Sequence, residues 1–126
     1  MKQYFEKIEE FNKAFEVEFS REPKLIGSID SVLRHKLMAE ENEEYLEACI
    51  NNDLVEVLDA CVDQLYILCG TIMKHGLQDK IELAFNEIHR SNMSKLDANG
   101  KPLVREDGKI IKGEGYSKPD LAKFLR

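Results

Sequence analysis

Tryptophan is absent from this 126-residue chain, and proline occurs only three times. Few prolines means few obligatory helix breaks, so long uninterrupted helices are allowed. No Cys-x-x-Cys pair occurs. The three cysteines, Cys49, Cys61 and Cys69, all fall within apolar helical pattern. They are expected as buried free thiols, which suits a reducing cytoplasm. There is no Glu-x-x-His, and the three histidines, His35, His75 and His89, are spread apart, which disfavours a redox di-iron bundle. No Ser/His/Asp or Cys/His arrangement stands out, and no glycine-rich phosphate loop is present. No apolar run approaches membrane-spanning length, and the opening MKQYFEKIEEF is too charged for a secretory signal. The sequence therefore predicts a cytoplasmic protein with no membrane partner.

What is present is charge, unevenly placed. The net charge is −6. Residues 1–88 carry 9 basic and 19 acidic side chains, whereas residues 89–126 carry 9 basic and 5 acidic. Such asymmetry suggests that one part binds cations and the other anions. An acidic chain lacks the basic footprint that nonspecific nucleic-acid binding needs. The length is that of one domain, spanning 1–126, with a helical bundle over 1–94 and a hairpin and tail over 95–126.

Hydrophobic periodicity predicts an all-α, antiparallel bundle of about four helices. Phe5, Ile8, Phe11, Phe15 and Phe19 recur at spacings of three and four, which predicts a helix over 2–20. A second helix opens near Gly27, with Ser28 or Asp30 as N-cap, and runs to about Asn52. Asn51-Asn52-Asp53 is a short polar break, with Asp53 the expected N-cap of a third helix from Leu54 to about Lys74. A short connection implies antiparallel neighbours. Leu54, Leu58, Cys61, Leu65, Leu68 and Ile72 mark the expected apolar face of that third helix. Gly76 suits its C-terminal stop. A fourth helix is expected over 78–94. Pro102–Arg105 and Lys109–Lys112 flank Glu106-Asp107-Gly108, the pattern of a β-hairpin, and the tail from Asp120 adds one short turn.

The acids on the second and third helices carry the chemistry. Around the helical wheel Glu40, Glu41 and Glu44 fall on the apolar face with Leu33, Leu37 and Ala48, while Glu43 and Glu47 drift toward solvent. From Leu54 to Met73 the only charged residues are Glu56, Asp59 and Asp63, stacked along one narrow arc. A carboxylate buried without a partner costs several kcal/mol or becomes neutral. From Ile26 to Met73 the only basic or histidine residues are Arg34, His35 and Lys36, so cations are the better compensation. Hard divalent ions take oxygen ligands, and Mg²⁺ pairs a few carboxylates with water and substrate phosphates. Beyond them, His89, Arg90, Asn92 and Lys95, then Lys101, Lys109, Lys112 and Lys118, offer a set able to neutralise a triphosphate. Asn92 both donates and accepts.

The segments AEENEEYLEA and LDACVDQLYILCGT, with HRSNMSK and KGEGYSKPDL further on, resemble the all-α nucleoside triphosphate pyrophosphohydrolases. That superfamily takes in MazG-like, phosphoribosyl-ATP pyrophosphohydrolase-like and dimeric dUTPase groups. Its Glu-Glu-x-x-Glu matches Glu40, Glu41 and Glu44, and its closing Asp matches Asp63. The usual Glu-x-x-Asp is not met at Asp63, because Ala60 stands three residues before it. Asp59 stands four before, and Glu56-x-x-Asp59 is the literal pattern, so either Glu56 or Asp59 completes the set. The resemblance implies Mg²⁺ or Mn²⁺ dependence, and a homodimer or homotetramer with sites at subunit interfaces. It implies hydrolysis of a nucleoside triphosphate to monophosphate and pyrophosphate. In that reading Glu40 or Glu41 takes the proton of water. Arg90, Asn92, Lys95, Lys112 and Tyr116 face the substrate. Two alternatives stay open: phosphoribosyl-ATP hydrolysis, against which the extra hairpin and tail count, and a noncatalytic helical interaction module with a structural metal.

Overall fold

A computed structural model describes all residues from Met1 to Arg126. Four helices, α1 (Lys2–Ala14), α2 (Gly27–Ile50), α3 (Leu54–Lys74) and α4 (Ile81–Met93), precede a two-stranded sheet and a 3-10 turn, Ala122–Leu125. The chain forms two compact units, Met1–Asp79 and Lys80–Arg126. No helix is long and apolar enough to cross a membrane.

In the first unit α2 and α3 form an antiparallel hairpin. Its turn is made by Asn52, at φ 52°, and by the Asp53 amide, which donates to Ala48 O at 3.0 Å. Asparagine tolerates this left-handed conformation better than most residues. Asp53 caps α3 as expected, its Oδ1 accepting from the Glu56 amide at 3.1 Å. α2 begins differently from the sequence reading: its N-cap is Ile26, with no side-chain cap bond from Ser28 or Asp30.

α1 is shorter than its aromatic stripe predicts. It ends at Ala14, and Glu16 turns left-handed at φ 55°. The last carbonyls of a helix lack intrahelical donors. Here chain from beyond α1 supplies them for α3: the Ser20 amide donates to Met73 O at 3.0 Å and the Lys24 amide to His75 O at 2.9 Å. Phe19 therefore lies on extended chain. Gly76, at φ +67°, follows the α3 C-cap as the sequence suggests, and a Cβ there would stand 2.1 Å from Glu22 O. Only glycine permits both the conformation and the approach.

The buried core is made of small and slender groups: Ala48, Ala60, Cys69, Ile72 and Met73, with Phe5 and Ile8 from α1. The expected apolar face of α3 is largely not the core. Leu54 is 80% exposed and Leu58 65%, and Leu65 and Leu68 also reach solvent. Cys49 and Cys61 are exposed as well, leaving Cys69 as the one buried thiol. Small residues, Ala48 on α2 and Ala60 on α3, are buried instead, and the bulky stripe turns outward.

In the second unit α4 anchors the tail of the chain, and a hairpin lies between them. Leu103 pairs with Ile111 and Val104 with Ile110, antiparallel, at the expected position. Glu87 is buried and receives both Arg90 Nε (2.9 Å) and Nη2 (2.7 Å), as well as the Asp120 amide at 3.0 Å. Arg90 Nη2 also reaches Lys118 O at 3.3 Å, so the pair ties the tail to α4. The Arg90 hydrogen bonds, then the Asp120 amide, hold Glu87 down at about 2, from an ordinary 4.5. A carboxylate whose pKa falls on folding stabilises the fold above its unfolded pKa and loses that contribution as pH drops toward the folded one. Docking of the tail is therefore expected to weaken between pH 4.5 and about 2. Amide exchange at Asp120 checks this: protection should fall on acidification, and Glu87→Gln should lower it already at neutral pH.

Candidate metal centre

The carboxylates of the first unit meet on the α2–α3 seam. Glu41 and Glu44 lie one turn apart on α2, and Asp63 faces them from α3. Oxygens of the three lie within 4.8 Å of one another. Glu41 and Asp63 are half-buried and Glu44 is exposed. Beside them Gln64 Nε2 donates to Asn42 Oδ1 at 3.3 Å, a cross-link between the helices at the level of the acids. Sequence reasoning passed over this pair, although its signal was available: each amide adjoins an acid of the cluster.

Electrostatics show how crowded the set is. Burial first, then the hydrogen bond and charge of Glu44, then the charges of Asp63 and Asp59, push Glu41 up from 4.5 to about 7. Asp63 is also raised, by burial and by Asp59 and Glu44. Asp59 raises both, so it belongs to the cluster electrostatically. Glu56 lines a cleft of about 290 Å³ that adjoins the cluster through Glu44 and also takes in Glu47, Ala48, Asn51 and Asp53. Glu40 is exposed, as are Glu43 and Glu47.

Does this arrangement suit a cation? Glu41 Oε2 is buried and has no hydrogen-bond partner. A buried oxygen without a donor costs free energy that a metal ion would recover. The donors are all hard carboxylate oxygens, which suit Mg²⁺ or Mn²⁺ over softer metals. The residues present therefore fit a divalent ion held by Glu41, Glu44 and Asp63, with Asp59 alongside.

A family model described as phosphoribosyl-ATP pyrophosphohydrolase matches residues 8–92. The chain belongs to this family. It thereby falls within the MazG-like nucleotide pyrophosphohydrolase superfamily, in agreement with the sequence resemblance. Among curated proteins none is similar enough to match. Membership brings an enzyme class, hydrolysis of a phosphoric anhydride, and a family typically dependent on divalent metal. The matched span contains Glu41, Glu44, Asp59 and Asp63 and ends before the hairpin.

The basic residues expected on the substrate side lie in the second unit. Arg90 has its charge offset by Glu87. Asn92 is exposed and Lys95 half-buried, the Lys95 carbonyl accepting from the Gly113 amide at 2.9 Å. Lys112 Nζ sits 4.6 Å from the centre of the Tyr116 ring, a cation–π contact that presents both on one loop.

A carboxyl whose pKa is raised on folding lowers stability as pH climbs from the unfolded to the folded value. Without metal, stability is expected to decline from pH 4.5 to about 7 and then level off. Added Mg²⁺ or Mn²⁺ should raise the melting temperature strongly at pH 8 and little at pH 5, because binding needs Glu41 ionised. Glu41→Gln should remove both the pH slope and the response to metal in a thermal-shift series.

Proposed function

We propose that this family member is a Mg²⁺-dependent nucleoside triphosphate pyrophosphohydrolase. The observation that carries the reading is the convergence of Glu41, Glu44 and Asp63 within 4.8 Å on facing helices. Water adds to a phosphorus of the α–β anhydride, the bridging P–O bond breaks, and a nucleoside monophosphate and pyrophosphate leave. A divalent ion, when bound, acidifies water and offsets charge on the phosphate oxygens.

The chain's own residues divide the work. Glu41, Glu44, Asp63 and Asp59 are assigned to holding the cation, which selects Asp59 over Glu56 for the remaining place. Glu40, next to the cluster and exposed, is free to accept the proton of water. Glu41 is thereby assigned to the metal alone. Asn92, Lys95, Lys112 and Tyr116 are the proposed substrate contacts. Arg90, already paired, is assigned to holding the tail in place.

The matched description favours one specific alternative, phosphoribosyl-ATP as the substrate. It is cleaved by the same bond-breaking step, so the two readings differ only in what lies beyond the α-phosphate.

The proposal includes self-association. Leu54, Val55, Leu58 and Val62 form an exposed apolar row on α3, and Ile29, Val32, Leu46 and Ile50 are exposed on α2. Leaving such a surface in water forgoes roughly 25 cal/mol for each Å² of apolar area that could be buried. A second copy of the chain, presenting the same row, is the proposed cover. Sedimentation should show a dimer or tetramer, and Leu58→Asp should shift it toward monomer.

Pyrophosphate release is the direct test of activity. A panel of ribo- and deoxyribonucleoside triphosphates plus phosphoribosyl-ATP, with and without Mg²⁺, should yield pyrophosphate only with metal. Glu44→Gln should reduce turnover by about 10²-fold or more while the helical circular dichroism stays unchanged. Full turnover by that variant would remove Glu44 from the site.

A further inference from the structure

α3 carries a glycine, Gly70, in its interior, where glycine costs about 1 kcal/mol relative to alanine. The structure shows what occupies the space. A Cβ on Gly70 would stand 2.6 Å from Nη2 of Arg34, whose guanidinium lies across the helix at that point. Arg34 Nε donates to Thr71 Oγ1 at 2.9 Å and Nη2 to Ile67 O at 2.7 Å. Thr71 Oγ1 in turn donates to Ile67 O at 3.1 Å, which holds its lone pairs toward the arginine. The group is half-buried, and burial lowers its pKa with no carboxylate acting to raise it. The acid one turn before it on α2, Asp30, lies 3.8 Å from Lys74 Nζ instead.

A guanidinium that is oriented, partly desolvated and without an anion is an incomplete ion pair. With Nε and one Nη2 hydrogen engaged, the remaining Nη1–Nη2 edge suits two oxygens of a phosphate. Its place along the seam says which phosphate. Arg34 precedes Glu41 by seven residues and Gly70 follows Asp63 by seven. Seven residues return a helix to nearly the same face, about 10 Å along its axis. The acids and the arginine therefore lie on one line, negative at one end and positive at the other.

We propose that Arg34, seated on Gly70, grips the terminal phosphates of the nucleotide, the part that leaves as pyrophosphate. The inference rests on the pyrophosphohydrolase reading and adds the polarity of the ligand along the seam. Terminal phosphates reach toward Arg34, and the α–β anhydride lies nearer the carboxylates.

Inorganic pyrophosphate is the probe, titrated into the full chain at low Mg²⁺ and followed by calorimetry. Arg34→Gln should weaken pyrophosphate binding about tenfold or more, the worth of a lost charge-assisted pair. Arg34→Lys should recover only part, because the ammonium lacks the fork. Gly70→Ala keeps the arginine but displaces its guanidinium, and should weaken pyrophosphate binding with the helical circular dichroism unchanged. Mg²⁺ affinity should be unchanged in all three. An arginine that merely links the helices would lower the melting temperature in Arg34→Gln and leave pyrophosphate affinity alone. Wild-type affinity in both Arg34→Gln and Gly70→Ala, or no pyrophosphate binding by the wild type, overturns the proposal. Should Arg34→Gln fail to fold, Gly70→Ala decides. A wild type that binds pyrophosphate through Arg34 yet cleaves no nucleotide would sink the activity and spare the subsite. Turnover with Arg34-independent pyrophosphate binding would do the reverse.

Discussion

Like charge held at close range organises the first unit. Glu41, Glu44 and Asp63 share a small volume, and Asp59 adds its charge beside them. Carboxylates at such separation repel, and burial deepens the penalty. Glu41 responds by holding its proton to about pH 7. The fold tolerates this because α2 and α3 are fastened on both sides of the cluster. The Asp53 cap and the turn secure one end. The Asn42–Gln64 bond acts at the acids themselves, and Arg34 reaches across to Thr71 and Ile67 further along.

This fastening has a structural consequence. Ala48 of α2 and Ala60 of α3 are buried, and Gly70 makes room for the Arg34 guanidinium. Bulky side chains are then displaced to the outer faces. The exposed leucines of α3 and the convergence of the acids are two results of one packing decision. A bundle that buried Leu54 and Leu58 between α2 and α3 would turn Asp59 and Asp63 away from Glu41.

The second unit uses charge in the opposite sense. Glu87 is buried with its partners already in place, so its proton is lost easily and the carboxylate serves as a staple for the tail. Glu41, half-buried, and Glu87, buried, differ above all in company. Glu41 is surrounded by acids, Glu87 by a guanidinium and a backbone amide. One is a group in want of a cation, the other a satisfied ion pair.

Much of this was legible in the sequence because it is local. Helical periodicity located α2, α3 and α4 to within a few residues, the Asp-Gly dipeptide located the hairpin, and Asp53 announced its cap. Acids interrupting an apolar stripe at spacings of three and four pointed to Glu40, Glu41, Glu44, Glu56, Asp59 and Asp63, of which the fold gathers oxygens of Glu41, Glu44 and Asp63 within 4.8 Å. What failed was non-local. The aromatic stripe of α1 suggested a helix to residue 20, but the chain leaves it after Ala14, and Ser20 and Lys24 pair with the last carbonyls of α3. The apolar face of α3 read as core, because a sequence shows that a stripe is apolar without showing what it packs against. The choice between Glu56 and Asp59 is of the same kind: both lie on one arc of α3, and it turns on the register of α2 against α3. Periodicity and short-range hydrogen bonding thus determined which residues share a face of a helix. Which faces meet was decided by the tertiary structure, because it depends on contacts between residues far apart in the chain.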